Sequence, residues 1–286
     1  MKKLKQSRTA SFAVVAMVYV IATVAGVFTY RALDLAWWLN LLIADVVATV
    51  VTFLFSLIFG NASVYDPYWS VQPMVIAVAF AVGKNLSATA VLVMVAVFLW
   101  GVRLTANWAY TFLGLEHQDW RYTMLKEKTK VFYPVINFVG IHLVPTLVVY
   151  GCILPVAYCI RQSVEFNAWC MVGFVLSLLA VSLQTVSDWQ MQRFRKRKTG
   201  GFIRDGLWKY CRHPNYLGEI LMWWGVAIAV VSVSQRWYLC CGALANTLLF
   251  AFVSIPMAEK RQSQKAGWQD YKNQTRLLLP LKKTVR

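Results

Sequence analysis

Eight apolar stretches account for most of this 286-residue sequence, and seven of them are long enough to cross a lipid bilayer. Crossing the hydrocarbon core, which is about 30 Å thick, takes roughly 20 helical residues. A helix satisfies its backbone hydrogen bonds internally, so the sequence predicts an all-α, polytopic membrane helix bundle. The seven long stretches are residues 11–30, 36–59, 88–112, 135–160, 168–187, 217–233 and 237–256. With the shorter stretch 70–82, we expect about eight transmembrane helices, with seven as the alternative.

The composition and the placement of charge agree with a membrane protein. Hydrophobic residues make up 59% of the chain and charged residues only 14%, against about 25% charged in soluble domains. Of the 29 Lys and Arg residues, 24 fall in segments 1–8, 113–131, 190–213 and 257–286. Positive loops stay on the cytoplasmic side. If residues 70–82 cross the membrane, all four segments share one side and both termini are predicted to be cytoplasmic, in a bacterial inner membrane or an endoplasmic reticulum alike.

The net charge of +17 predicts attraction to anionic membrane lipids, not to nucleic acid, because the excess follows the positive-inside pattern. The six cysteines form no Cys-x-x-Cys pair and the three histidines are scattered, so no metal site is predicted. We see no internal repeat and no low-complexity linker, and we therefore expect a single membrane domain over residues 1–286, with no obligate protein partner.

A polar stripe runs along the apolar stretch that ends near residue 187. Gln184, Asp188 and Gln192 recur every four residues, and Arg195 follows three residues later. This spacing places them on one helical face. Because apolar residues fill the rest of the circumference, the stripe is expected to face protein or a wet cavity. The simpler alternative is a helix that leaves the membrane at Gln184.

The segment 212–219, RHPNYLGE, places costly polar groups at the start of the next apolar stretch. Pro214 suits the first turn of a helix, which puts Asn215 and Glu219 on one face, one turn apart. The free backbone N–H groups and the positive end of the helix dipole attract phosphate there. Arg204 and Arg212 precede the helix and could bind phosphate through their guanidinium groups.

These motifs resemble the C-terminal region of the steroid 5-alpha-reductase family, and the resemblance to its characterised reductases covers residues 182–280. Most of the chain is similar to a poorly characterised branch of this family, through the segments 65–70 (YDPYWS) and 103–108 (RLTANW). The matching C-terminal features are Gln184-x3-Asp188, the segment 212–219, Trp223-Trp224-Gly225 and the tail with Glu259, Tyr271 and Pro280.

The resemblance implies a reductase that passes a hydride from NADPH to a carbon–carbon double bond in a steroid, sterol or isoprenoid-like lipid. Residues 135–286 would then bind the cofactor, and the hairpins of residues 1–134 would line the side of a hydrophobic lipid substrate. The cofactor-binding residues implied by the resemblance and by the phosphate argument are Gln184, Asp188, Arg195, Arg204, Arg212, His213, Asn215, Tyr216, Gly218, Glu219 and Tyr271.

The catalytic residues follow less directly. Hydride delivery to an enone builds negative charge on the carbonyl oxygen, which a hydrogen-bond donor must stabilise. The characterised reductases use a tyrosine and a glutamate, but Trp100 stands at the tyrosine position and the first two hairpins hold no suitable glutamate. Tyr68, Tyr65 or Asp66 could substitute; the alternative for the two tyrosines, together with Trp69, is an aromatic belt at the membrane surface. Asp45, alone in its span, is predicted to be a site residue or the partner of Arg103.

Two other functions remain open on sequence grounds. Membrane methyltransferases of the isoprenylcysteine carboxyl and phospholipid N-methyltransferase types have a similar Arg-His-Pro motif followed by a buried glutamate, with S-adenosylmethionine as cofactor. That cofactor has no phosphate, so the cations at Arg195, Arg204 and Arg212 favour NADPH. A non-enzymatic lipid-binding or transport protein is the third alternative, although transporters tend to show inverted repeats.

Overall fold

The computed structural model describes residues 2–198 and 200–280, and these residues are nearly all helical. Within them the β-structure amounts to a single bridge between Cys211 and Arg276. The thirteen α-helices among the described residues are α1 (Lys2–Gln6), α2 (Arg8–Ala32), α3 (Trp37–Phe59), α4 (Tyr68–Ala81), α5 (Ala88–Thr111), α6 (Trp120–Thr129), α7 (Tyr133–Ile136), α8 (Val144–Gln162), α9 (Ala168–Lys196), α10 (Pro214–Ser234), α11 (Cys241–Leu249), α12 (Ile255–Gln262) and α13 (Trp268–Gln274).

Seven helical segments of the described chain are long and apolar enough to cross a membrane, which confirms the prediction of an all-α, multi-pass membrane protein. They are Arg8–Ala32, Trp37–Phe59, Ala88–Thr111, Trp120–Gln162, Ala168–Lys196, Pro214–Ser234 and Trp237–Gln262. The eighth stretch forms α4, which has 14 residues. At 1.5 Å per residue this helix is about 21 Å long, shorter than the hydrocarbon core. The structure therefore supports seven spans, and the cytoplasmic placement of both termini stays a prediction.

The span Trp120–Gln162 is not one regular helix. It passes from α6 and α7 through a π-helical segment, Asn137–Leu143, into α8. A second π-helical segment, Phe250–Ser254, joins α11 to α12. Such π-helical turns interrupt the regular i to i−4 hydrogen bonding and are frequent at functional sites.

By their contacts the residues divide into two compact units, each described here by itself. Unit 1 takes the described residues of Met1–Val82 and Leu104–Leu154, and unit 2 those of Gly83–Arg103 and Pro155–Arg286. The single domain predicted over residues 1–286 and the predicted boundary at residue 135 stay predictions. In unit 1 the apolar core includes Val14, Val15, Val18, Phe59, Val64, Phe112 and Leu115.

In unit 2, α9 and α10 pack closely because glycines face each other. A Cβ atom on Gly225 would lie 2.6 Å from the carbonyl oxygen of Gly173, too close for any side chain. One on Gly218 would lie 2.5 Å from Cγ of Gln184 and 2.7 Å from the carbonyl oxygen of Ala180. Small residues allow membrane helices to approach closely. This packing brings the polar stripe of α9 against the polar start of α10.

Candidate functional site

The centre of the candidate site is the carboxylate of Glu219, which is 4% exposed. Its Oε2 accepts hydrogen bonds from Nε1 of Trp100 at 2.8 Å and from Nε2 of Gln184 at 3.1 Å. Its Oε1 accepts from Nε1 of Trp223, one turn further along α10, at 3.1 Å. Helices α5, α9 and α10 thus each direct a donor at one buried carboxylate. An ionised acceptor forms stronger hydrogen bonds than a neutral one, which offsets part of the cost of its burial.

Arg103 on α5 links this carboxylate to the polar stripe of α9. Its NH1 binds Oδ2 of Asp188 at 2.6 Å, and its NH2 donates to Oε1 of Gln184 at 2.5 Å. The same NH2 lies 4.0 Å from Oε2 of Glu219. One guanidinium therefore serves two carboxylates. The alternative that paired Arg103 with Asp45 is wrong, because Arg103 binds Asp188 instead.

The sequence assigned no role to Trp100 or Trp223, and for Arg103 it offered only the pairing with Asp45. A lone charge in the apolar stretch 88–112 is itself a signal of a functional or paired residue, since isolated charges are rare in membrane spans. The sequence could not supply the partner, because Asp188 lies 85 positions further along the chain. Trp100 was singled out only as a departure from the reductase pattern, whereas the structure makes it a donor to Glu219.

The N-terminus of α10 offers unused hydrogen-bonding groups next to this network. Asn215 is a hydrogen-bond partner of Asp188. Its Oδ1 is buried and has no partner among the residues that the structure describes, and the same holds for Nε of Arg103. The N-cap residue, His213, provides no side-chain cap to the helix. A free acceptor, a free donor and an uncapped helix end thus lie in the same region of unit 2.

A second cluster holds the C-terminal tail against the segment before α10. Nε of Arg212 and Nε2 of His213 both bind Oε1 of Glu259, at 2.8 and 2.9 Å. NH1 of Arg212 also donates to the carbonyl oxygen of Thr275 at 2.6 Å. Arg212 is 7% exposed. In this arrangement its guanidinium anchors the tail, and a phosphate would have to compete with these bonds.

Tyr271 and Tyr216 lie at the edges of this second cluster. The hydroxyl of Tyr271 donates to the carbonyl oxygen of Trp208 at 2.5 Å. Burial raises the pKa of Tyr271, so the phenol stays protonated as a donor. The ring of Tyr216 stacks on that of His213 with 5.2 Å between centroids. Gly218 provides no side chain and is the point at which Gln184 approaches α10.

The remaining predicted cations, Arg195 and Arg204, are exposed. Arg204 lies over the ring of Phe202, 4.4 Å from its centroid, and donates to the carbonyl oxygen of Gly267 at 3.1 Å. Burial, with the neighbouring cations Arg261 and Arg195, lowers the pKa of Lys265. Burial is the largest cause of this shift, and the two neighbouring cations add to it.

The predicted catalytic residues belong to unit 1. Tyr68 donates to Oδ1 of Asp45 at 3.2 Å, and the hydroxyl of Tyr65 lies 2.8 Å from Oγ1 of Thr146. Both rings are buried, at 5% and 2% exposure, so they do not form an exposed aromatic belt. Asp66 accepts from the hydroxyl of Tyr122 at 2.7 Å. Burial raises the pKa of Asp66 to about 6, opposed by the charge of Arg121 and by this hydrogen bond.

Comparison with known proteins yields one family and a few distant relatives. Residues 52–275 match the model of the family described as "Protein of unknown function (DUF1295)". An uncharacterized protein of Schizosaccharomyces pombe is 23% identical over 243 residues, which are 74% of this chain and 68% of that protein. No solved structure gives a significant match to the chain.

Two relatives have an activity in their names. The 3-oxo-5-alpha-steroid 4-dehydrogenase 1 of Macaca fascicularis is 30% identical over 112 residues, which are 38% of this chain and 40% of that protein. The protein of the same name from Homo sapiens is 29% identical over 112 residues, with the same coverage. The chain therefore spans about two fifths of the length of these two dehydrogenases.

Proposed function

Because the chain belongs to the DUF1295 family, a steroid 5-alpha-reductase-like family, we propose that it is a membrane-embedded, NADPH-dependent reductase. Its substrate would be a steroid, sterol or isoprenoid-like lipid, in which it would reduce a carbon–carbon double bond. The observation that supports this most is the presence of two buried groups without a hydrogen-bond partner among the described residues, beside the network of α9 and α10. One is an acceptor, Oδ1 of Asn215, and the other is a donor, Nε of Arg103.

The nicotinamide of NADPH carries a carboxamide, which has an NH2 group that donates and a carbonyl oxygen that accepts. Asn215 and Arg103 offer the complementary acceptor and donor, so the residues present fit this part of the cofactor. An unpaired buried polar group costs about 1–3 kcal/mol, and binding a carboxamide would remove that cost for both residues. Glu219 and Gln184 would hold the guanidinium of Arg103 in position without contacting the cofactor themselves.

Three sources of positive potential in unit 2 would bind the phosphates of NADPH. The uncapped N-terminus of α10 presents backbone N–H groups and the positive end of the helix dipole. Arg195 and Arg204 are exposed and available for phosphate. In this proposal Arg212 and His213 act indirectly, by fixing the tail, and Tyr271 supports the segment around Trp208.

When bound, NADPH would supply a hydride to one carbon of the double bond, while a proton reaches the other carbon. The chain's own residues would orient the nicotinamide and exclude water. The rings of Trp100 and Trp223 are buried edge to face, 4.8 Å apart, and form an apolar wall beside Glu219. Tyr65, Tyr68 and Asp66, which the sequence predicted to stabilise the carbonyl oxygen, each have a hydrogen-bond partner within unit 1.

The competing cofactor is S-adenosylmethionine. It has no phosphate and would make no use of the exposed cations Arg195 and Arg204. The third alternative, a lipid-binding or transport protein, would need no nucleotide at all. The exposed cations Arg195 and Arg204 and the N-terminus of α10 suit a cofactor with phosphates, and they therefore favour NADPH over both alternatives.

The proposal is tested by following a hydride label. The full chain in lipid nanodiscs is incubated with NADPH deuterated at the transferable position, together with a 3-oxo-4-ene steroid or a lipid extract from the host membranes. Mass spectrometry is expected to find one lipid that gains one deuterium and one proton. The gain should be lost in Asn215→Ala and retained in Ser182→Ala, whose exposed hydroxyl bonds only to its own helix. Oxidation of NADPH with no deuterium in any lipid would contradict the proposal.

A further inference from the structure

Unit 1 contains a buried polar cluster that the proposed cofactor site does not use. We call it the acceptor cluster, and it consists of Asp45, Tyr65, Tyr68, Gln72, His142 and Thr146. All six are between 0% and 8% exposed. Polar groups at this depth in a membrane protein are costly and are retained where they serve a site or pair with one another.

Hydrogen bonds connect four hydroxyl groups to the carboxylate of Asp45. The hydroxyl of Tyr65 lies 2.8 Å from Oγ1 of Thr146, which lies 3.0 Å from Oγ1 of Thr49. Thr49 in turn is a hydrogen-bond partner of Tyr68, and Tyr68 donates to Oδ1 of Asp45 at 3.2 Å. The order is therefore Tyr65, Thr146, Thr49, Tyr68 and Asp45.

The chemistry of the groups fixes the direction of this chain. Each hydroxyl has one hydrogen to donate, and the hydroxyl of Tyr68 donates its hydrogen to Asp45. Thr49 must therefore donate to Tyr68, Thr146 to Thr49, and Tyr65 to Thr146. The other oxygen of Asp45 accepts from Nε2 of Gln72 at 2.5 Å. Every hydroxyl hydrogen in the chain is committed, and the oxygen of Tyr65 at its far end can only accept.

Two further groups of the cluster also only accept. Nδ1 of His142 lies 2.9 Å from the backbone carbonyl oxygen of Asn137, so Nδ1 carries the proton and Nε2 of the neutral ring is an acceptor. Nε2 of His142 and Oε1 of Gln72 are both buried, and neither has a hydrogen-bond partner within the described ranges 2–198 and 200–280. The ring of His142 contacts that of Tyr65, with 4.7 Å between centroids.

The cluster has free acceptors and no free hydroxyl hydrogen. A ligand that pairs with these acceptors must therefore carry a hydrogen-bond donor. The free acceptors, an amide oxygen and an imidazole nitrogen, are neutral, and each oxygen of Asp45 already has a donor. An uncharged hydroxyl therefore fits better than an ammonium group. A ketone would add one more acceptor and leave the buried groups unpaired, at about 1–3 kcal/mol each.

We propose that the acceptor cluster binds the hydroxyl end of a lipid alcohol. Aromatic side chains supply the apolar surroundings that such a lipid needs: Tyr19 packs edge to face on Tyr68, and Phe53 on His142. The inference is drawn from unit 1 alone, and it stands whether or not unit 2 binds NADPH.

The test compares each alcohol with its own methyl ether, which keeps the oxygen but lacks the donor. The full chain in nanodiscs is labelled with photoreactive cholesterol or photoreactive farnesol, and unlabelled alcohol or methyl ether is added as competitor. For at least one of the two lipids, the alcohol should compete at least tenfold better than the ether. The labelled peptides should come from segments 37–82 or 137–154.

Variants test which residues produce the preference for the alcohol over its ether. His142→Phe and Gln72→Met each remove a free acceptor and should each reduce the preference for the alcohol at least tenfold. Thr52→Val is the matched control, because this buried hydroxyl bonds to a carbonyl oxygen of its own helix. NADPH binding is measured in parallel and should be unchanged in all three variants; its absence in the wild type would contradict only the proposed reductase.

The comparison on the wild type needs no variant to fold. Equal competition by alcohol and ether for both lipids, labelling outside the two segments, or no labelling at all would each overturn the acceptor cluster as a site for a lipid alcohol. The last result would mean that water alone occupies the free acceptors.

Discussion

The indole N–H of Trp100 donates to Oε2 of Glu219 at 2.8 Å, and both side chains are buried. This hydrogen bond joins α5 to α10 inside unit 2. Together with the donors Gln184 and Trp223 it fixes the carboxylate in one orientation. Glu219 is thus a structural centre of the candidate site. No single stretch of sequence shows this role, because the donors lie on α5, α9 and α10.

The substitution Trp100→Phe should destabilise the protein. The smaller side chain would keep an aromatic ring but would leave Oε2 of Glu219 with one donor fewer, at a cost of about 1–3 kcal/mol. Thermal unfolding in detergent should show a lower Tm. The control is Trp189→Phe on α9, where the indole is 53% exposed; equal Tm values for the two variants would show that the buried hydrogen bond contributes nothing.

Arg103→Met should be more damaging than Arg103→Met combined with Asp188→Asn. The single change leaves the carboxylate of Asp188 without its guanidinium partner. Breaking one side of a fully buried ion pair typically costs about 3–5 kcal/mol, and we expect a smaller loss for this pair, whose side chains are 12% and 16% exposed. The second change neutralises the orphaned charge and should restore part of the lost stability, as measured by denaturant unfolding. A double variant less stable than Arg103→Met would contradict the pairing of these two residues.

Gly218→Ala should disrupt the packing of α9 on α10. The new methyl group would meet the carbonyl oxygen of Ala180 at 2.7 Å, and backbone cannot move aside as a flexible side chain can. We expect lower thermal stability and weaker NADPH binding together. Gly140→Ala is the matched control, because its Cβ would meet only a methyl group of Ile136, at 3.9 Å, and alanine favours a helix over glycine by about 1 kcal/mol.

The raised pKa of Asp66 predicts a pH dependence of stability. Burial lifts this pKa from 3.8 to about 6, so between these values the folded state binds more protons than the unfolded state. The contribution of Asp66 is fully present below pH 4 and is lost as the pH rises through about 6, by at most about 3 kcal/mol. Unfolding curves measured from pH 4 to 7 should show that the stability of the wild type relative to Asp66→Asn falls as the pH rises. A wild type whose stability rises relative to the variant would contradict the sign.

The sequence predicted the spans well because the bilayer imposes a length and a polarity that a single stretch displays by itself. The predicted stretch 88–112 corresponds to the helix Ala88–Thr111, and the predicted stretch 217–233 corresponds to the helix Pro214–Ser234. The helices extend further where they leave the membrane: the stretch 168–187 continues to Lys196. Hydropathy ends a helix at the last apolar residue, but backbone hydrogen bonding continues through Asp188 and the basic residues beyond it.

The candidate site was only partly predictable. Four-residue spacing placed Gln184 with Asp188 and Asn215 with Glu219, since helical periodicity is a local property. The contacts of Arg103 with α9, and of Arg212 with Glu259, join residues 85 and 47 positions apart. Local patterns carry no information about such pairings, so Arg212 was predicted to bind phosphate, whereas the structure shows it holding the tail.

The proposed reductase depends on NADPH binding in the region between the polar faces of α9 and α10. Calorimetric titration with NADPH, NADH and S-adenosylmethionine tests this binding directly. It is carried out on the purified full chain as wild type, as Asn215→Ala and as the control Ser182→Ala. We expect NADPH to bind at least tenfold more tightly than NADH because of the surrounding cations, S-adenosylmethionine not to bind, and Asn215→Ala to weaken NADPH binding while Ser182→Ala does not. Binding of S-adenosylmethionine without NADPH, or equal NADPH affinity in the wild type and Asn215→Ala, would contradict the proposed site.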